Sequence, residues 1–163
     1  MYLVHQDNKI ARLKDNLSGL AEEPWEADEQ PYVDDAYSEG AFLFKANGKY
    51  HLAQTYWSVE EPAPGSYFRR PDQTVYSYDP VTASADAIRG PYGKRYTPIT
   101  GGGHGNFFQD HNGDWWACIF WNPRNRTPGN EQYACRPGIV AMKWVNGQLK
   151  VDKERTDAFY GSF

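Results

Sequence analysis

Positive charge is scarce in this chain. Lys and Arg number 17 against 21 Asp and Glu, a formal net charge of −4. Phosphate backbones are held chiefly by Lys and Arg, so this balance gives a nucleic-acid partner no support. Long apolar runs are also missing: none approaches the roughly 20 residues a membrane-spanning helix needs. No signal peptide is visible at the N-terminus, and no membrane partner is expected. Cysteine is limited to Cys118 and Cys135. Two cysteines make no disulfide framework, and no Cys/His spacing of a zinc site exists. Buried free thiols are the default expectation. A Cys118–Cys135 bridge stays open if the two face each other across the loop at 122–130. A G-x-S-x-G elbow for a serine nucleophile is absent. Gly101-Gly102-Gly103 is not followed by the Gly-Lys-Ser/Thr of a phosphate loop, and a strand rather than a helix comes after it.

Aromatics are plentiful, at 16% with six Trp and twelve Tyr, beside frequent Gly and Pro and few helix formers. That composition favours strands and turns. The clearest element runs from Tyr37 to Trp57: two apolar, aromatic stretches around Asn47-Gly48. An Asn-Gly pair so flanked predicts a hairpin with a type I′ turn. The pattern recurs from His104 to Trp121. Without a gap, Gly40 aligns with Gly105, Phe42 with Phe107, Asn47 with Asn112, Gly48 with Gly113, and Glu39 with His104. An all-β repeat of this size predicts propeller blades. The inner strands of a propeller start near one axis, so Glu39 and His104 are expected to converge on a central pocket.

The expected fold class is therefore all-β, an incomplete β-propeller of about two full blades and part of a third. Residues 1–163 are expected to belong to one such domain, with blades near 1–20, 37–99 and 100–151. Short strands are expected at Met1–His5 and Lys9–Leu13, and an acidic loop at 22–36. Thr74–Ala83 and an outer strand at Arg95–Ile99 complete the middle blade. In the last blade a strand region at Glu131–Val145 turns through Asn146-Gly147 into Gln148–Val151, and the tail carries no element. Met1-Tyr2-Leu3-Val4 resembles the second strand Tyr50-His51-Leu52-Ala53. On that reading the chain starts in mid-blade, with an inner strand and its counterpart of Glu39 about ten residues before Met1. The alternative is a true start with an unpaired edge.

Glu39 stands among apolar residues in Ser-Glu-Gly-Ala-Phe-Leu-Phe, where folding of the hairpin needs no acid. It is either a solvated strand-start carboxylate or an acid aimed into a partly dry pocket. Burial disfavours a charged carboxylate, and a carboxylic acid that keeps its proton is what general-acid catalysis at neutral pH requires. His104, flanked by glycines that open space around its ring, is either structural or faces a ligand or metal. Arg136 is a guanidinium in an apolar strand, wanting an acidic or hydroxyl-rich partner: a salt bridge between blades or a ligand. Trp57, Trp115, Trp116 and Trp121 suit packing, with one or two at strand ends free to stack on a sugar.

The residues resemble glycoside hydrolase family 43. Ser38-Glu39-Gly40-Ala41 before an aromatic strand and Asn47-Gly48-Lys49-Tyr50-His51-Leu52 is similar to that family's acid-bearing blade. Similar likenesses run through Ala83–Asp86 with Gly90-Pro91-Tyr92, through Gly103-His104-Gly105 with Gln109–Trp116, and through Arg136-Pro137 before Ile139–Trp144. They keep their order across nearly the whole chain. The resemblance implies a five-bladed β-propeller, of which residues 1–163 are the C-terminal portion, and an inverting glycosidase with an Asp base, a second Asp that tunes the acid, and a Glu general acid. Glu39 matches the acid, and both Asp residues would precede Met1. His104 matches an axial histidine that approaches a bound calcium or its water; Arg136 matches an arginine near the substrate. Trp57 and Phe107 are expected to touch substrate as well. Ala41 stands where the family has Pro. No cofactor is required beyond a calcium near the axis, and the implied partner is an oligo- or polysaccharide containing arabinose, xylose or galactose. A secreted or periplasmic setting goes with it. A non-catalytic carbohydrate-binding propeller, or a scaffold propeller that binds protein, is the rival reading.

Overall fold

The computed structural model describes residues 1–5, 9–27, 39–59, 75–121 and 136–160. They form three antiparallel sheets. The first holds β1 (Tyr2–His5), β2 (Lys9–Arg12) and β3 (Trp25–Glu26) in that order. The second holds β4 (Glu39–Ala46), β5 (Lys49–Val59) and β6 (Val75–Ala85). The third runs in the order β10 (Gln148–Val151), β9 (Arg136–Val145), β8 (Trp115–Trp121), β7 (Asn106–Gln109).

Asn47 and Gly48 both take positive φ, 51° and 76°, the type I′ geometry that the right-handed twist of two strands favours. Asn146 and Gly147, at 49° and 76°, repeat it between β9 and β10. Asn112-Gly113 does not. There β7 and β8 are joined across Asp110–Asp114, and only Gly113 of the pair has positive φ.

The middle sheet is covered on both faces, and period-2 alternation decides which side chain goes where. Leu52 and Leu43 join Val4, Ala83, Ala85 and Tyr92 in a cluster on one face. Ala53, Phe42 and Phe44 join Phe107, Ile119, Met142 and Leu149 on the other. Each fully buried large apolar side chain contributes about 1.5–3 kcal/mol. Stacking of whole sheets face to face, with hairpin neighbours sharing a sheet, is how propeller blades pack.

Four expectations need correction. Arg95–Ile99 is not a strand: only Tyr96 pairs, as an isolated bridge to Thr82. Pro98 has no N–H for a ladder, and pairing stops beside it. Trp25–Glu26 lies in the region expected to be loop, yet pairs with Lys9 and Ile10. The tail carries α1 (Lys153–Tyr160). Asp152 Oδ1 accepts the Arg155 N–H at 3.3 Å at its N-terminus, and Lys153 pairs with Asp157 one turn on at 2.6 Å. In the last blade β9 begins at Arg136; residues 131–135 lie outside the described residues. Cys118 is an exposed thiol rather than a buried one, because it lies on the outward face of β8, and Cys135 is outside the described residues.

Candidate active site

Glu39 opens β4 opposite Thr55, but the next register pair is Phe42 with Ala53. Gly40 and Ala41 together oppose Gln54 alone, a β-bulge. Gly40 has φ 61°, the left-handed conformation expected of a glycine in such a bulge. The bulge turns Glu39 away from the strand's regular alternation. It also leaves position 41 without a regular ladder partner, so either Ala or Pro fits there.

The half-buried Glu39 and the exposed His104 come together at one phenol. The Tyr78 hydroxyl donates to Glu39 Oε1 and lies 2.8 Å from His104 Nδ1. Tyr78 is 4% exposed and comes from β6, the outer strand of the middle sheet. The His104 N–H donates to the Thr55 hydroxyl at 2.7 Å, and Thr55 is the cross-strand partner of Glu39. His104 itself has φ 55°, uncommon for a residue with a side chain. Behind it, the Gly101 N–H donates to the buried Asp79 carboxylate at 2.6 Å. The Gly103 N–H donates to the Tyr78 carbonyl at 2.9 Å, and the Phe120 N–H to the Gly103 carbonyl at 3.1 Å. The glycine run is thus clamped between the middle and last sheets, which aims His104 at the middle sheet's acid.

Tyr78 and Thr55 were not singled out from the sequence. Tyr78 lies in Val-Tyr-Ser-Tyr-Asp-Pro-Val, and an acid followed by proline inside a strand was the one signal there. Phe107 is corrected: it is 3% exposed and packs in the core against Phe44, ring centroids 5.7 Å apart. Alternation along β7 sends it inward, so it offers no face to a sugar. Trp115 is likewise packing, edge-on to Trp144 at 5.6 Å. Trp116 lies under the Arg155 guanidinium, 5.0 Å from its ring centre. Trp57 and Arg136 have their backbones in β5 and β9; their side chains, and that of Trp121, lie outside what is described.

Calcium takes six to eight oxygen ligands. Among the described residues no three His, Cys, Asp or Glu stand together as a metal cluster, and His104 Nδ1 is engaged by Tyr78. These residues alone do not fit a calcium cradle.

No family model and no curated protein matches the chain. Solved structures do. A bifunctional GH43-CE protein of Bacteroides eggerthii matches over 93% of this chain and 18% of its own, with 24% identity and a TM-score of 0.60. The α-L-arabinanase of Cellvibrio cellulosa matches over 93% of this chain and 51% of its own, at 19% identity and TM-score 0.61. An exo-1,5-α-L-arabinanase from a bovine ruminal metagenomic library matches over 88% and 49%, at 14% identity and TM-score 0.61. The fold is part of a GH43-type five-bladed β-propeller. The chain spans between about a fifth and a half of these enzymes' lengths. Glu39 is the first residue of β4, and His104 lies two residues before β7, so the two stand at the starts of strands in two of the three sheets.

Proposed function

We propose that this chain supplies the acid-bearing blades of an inverting glycoside hydrolase, with Glu39 as general acid. The observation that carries the reading is the convergence of Glu39 and His104, from the starts of β4 and β7, on the Tyr78 hydroxyl. It is supported by the likeness to glycoside hydrolases, one of them an arabinanase complexed with arabinohexaose. The substrate class is an arabinose-, xylose- or galactose-containing glycan.

In the reaction the Glu39 proton passes to the glycosidic oxygen as the bond from that oxygen to the anomeric carbon breaks. Water attacks the opposite face and gives up a proton to a second carboxylate. Room for that water requires the two carboxyl groups to stand roughly 6.5–9.5 Å apart. Among the described residues we assign no such base, so the 163-residue chain by itself is expected to be inactive. In the intact enzyme, Glu39→Gln is expected to lower kcat on arabino-oligosaccharides by about 10²–10⁴-fold. Unchanged turnover in that variant would sink the assignment. Sugar binding without turnover by the intact wild type would turn the reading to a carbohydrate-binding propeller.

A further inference from the structure

Resting on the reading of Glu39 as the acid, we propose that Tyr78 is a positioning residue for both ends of this site. It sets which carboxyl oxygen of Glu39 carries the acidic proton and which nitrogen of His104 is left to accept a sugar hydroxyl.

The Tyr78 ring has little freedom. Phe120 meets it edge-on at 6.3 Å, His104 lies nearly parallel at 6.3 Å, and a side chain at Gly103 would come within 2.7 Å of the Tyr78 ring. The hydroxyl is therefore delivered by packing. A phenol owns a single proton, and here it goes to Glu39 Oε1. The phenol oxygen then acts as acceptor toward His104 Nδ1 at 2.8 Å, so Nδ1 must carry a proton. Two consequences follow. Oε1 is occupied as an acceptor, and the transferable proton resides on Oε2. Neutral His104 holds its proton on Nδ1, which leaves Nε2 as an acceptor for a hydroxyl of the sugar. An acid whose proton points one way, beside an acceptor of fixed tautomer, is ordered before substrate arrives, and such preorganisation is where positioning groups act.

Two measurements test this. Nitrogen NMR of the imidazole in the full chain should find His104 with Nδ1 protonated, and Tyr78→Phe should move the proton to Nε2. In the intact enzyme, Tyr78→Phe should lower kcat about tenfold or more on an arabino-oligosaccharide, whose leaving oxygen needs the proton. It should raise KM on both that substrate and the dinitrophenyl arabinofuranoside, because a protonated Nε2 no longer accepts the sugar hydroxyl, while kcat on the dinitrophenyl substrate, whose leaving group needs no proton, stays nearly unchanged. A wild-type His104 protonated on Nε2, or a tautomer indifferent to Tyr78→Phe, overturns the proposal. So does an equal loss of kcat on both substrates. Glu39→Gln run alongside separates the two readings. If it shows no leaving-group dependence, the general-acid role fails. If it does and Tyr78→Phe does not, only the role of Tyr78 fails.

Discussion

The β4–β5 and β7–β8 hairpins are written in nearly the same letters and built by different means. In the first, Glu-Gly makes a bulge: Gly40 is there for its positive φ. In the second, His104 takes the positive φ and Gly105 is there for space. A Cβ at Gly105 would lie 2.1 Å from the Cys118 carbonyl oxygen, inside the backbone of the neighbouring strand. The turns differ too. Asn47-Gly48 closes the first hairpin in two residues. The second is closed by the Asp110 carboxylate, which accepts the N–H groups of Asn112 and Asp114, both at 2.9 Å, and the Trp116 indole at 3.0 Å. An aligned glycine is thus a shared letter with two physical reasons, and an aligned Asn-Gly is not always a type I′ turn.

The largest expected effect lies in that glycine pair. Gly105→Ala must push β7 from β8, and overpacking of this kind costs about 1–3 kcal/mol or more. Gly40→Ala meets the Thr55 hydroxyl and His104 at 3.2–3.3 Å and costs about 1–2 kcal/mol for its left-handed backbone. Urea midpoints should therefore fall further for Gly105→Ala, and the reverse order would break the distinction. The next effect separates the hairpins by pH. His51 of the first is 1% exposed, stacked on Phe44 at 4.9 Å and against Trp144 at 5.0 Å. That burial holds its imidazole below the usual 6.5. The unfolded chain takes up a proton below 6.5 that the folded chain refuses, so stability should fall as pH drops through that region. His51→Phe should flatten this slope; an unchanged slope would place its origin elsewhere. The smallest effect belongs to the second hairpin. The Trp116 indole, then the Asp114 and Asn112 N–H groups, hold the Asp110 carboxyl below its usual 3.8. Its contribution is present above 3.8 and is lost as pH falls through the lower folded value. Asp110→Asn should abolish only this acid step, read from Trp116 fluorescence. Loss of the neutral-range slope instead would erase the difference between the two regions.

Much of this was readable in advance. The Asn47-Gly48 and Asn146-Gly147 turns follow from dipeptide chemistry, and the apolar runs around them mark their strands. The gapless repeat pointed Glu39 and His104 at one place. Tyr78 was not readable, because its meeting with Glu39 and His104 depends on where β6 stops sliding along β5. Phe107 looked like a sugar platform because composition shows an aromatic, not the face it takes. The tail helix was missed although Asp152 before Lys-Glu-Arg is an N-terminal capping signal. The stretch Arg95–Ile99 had strand residues, and its proline outweighed them.

The glycine run before His104 has a consequence for how this protein can change over generations. Side chains at 103 and 105 would strike Thr55 at 2.4 Å and the Cys118 carbonyl at 2.1 Å. The approach of the His104 segment to its neighbouring strands is therefore gauged by bare main chain at 103 and 105, where drift has no side chain to lengthen or shorten. Descendants can vary the side chains around Glu39 and His104, but the close approach of the two sheets beneath them is inherited with the path of the polypeptide itself.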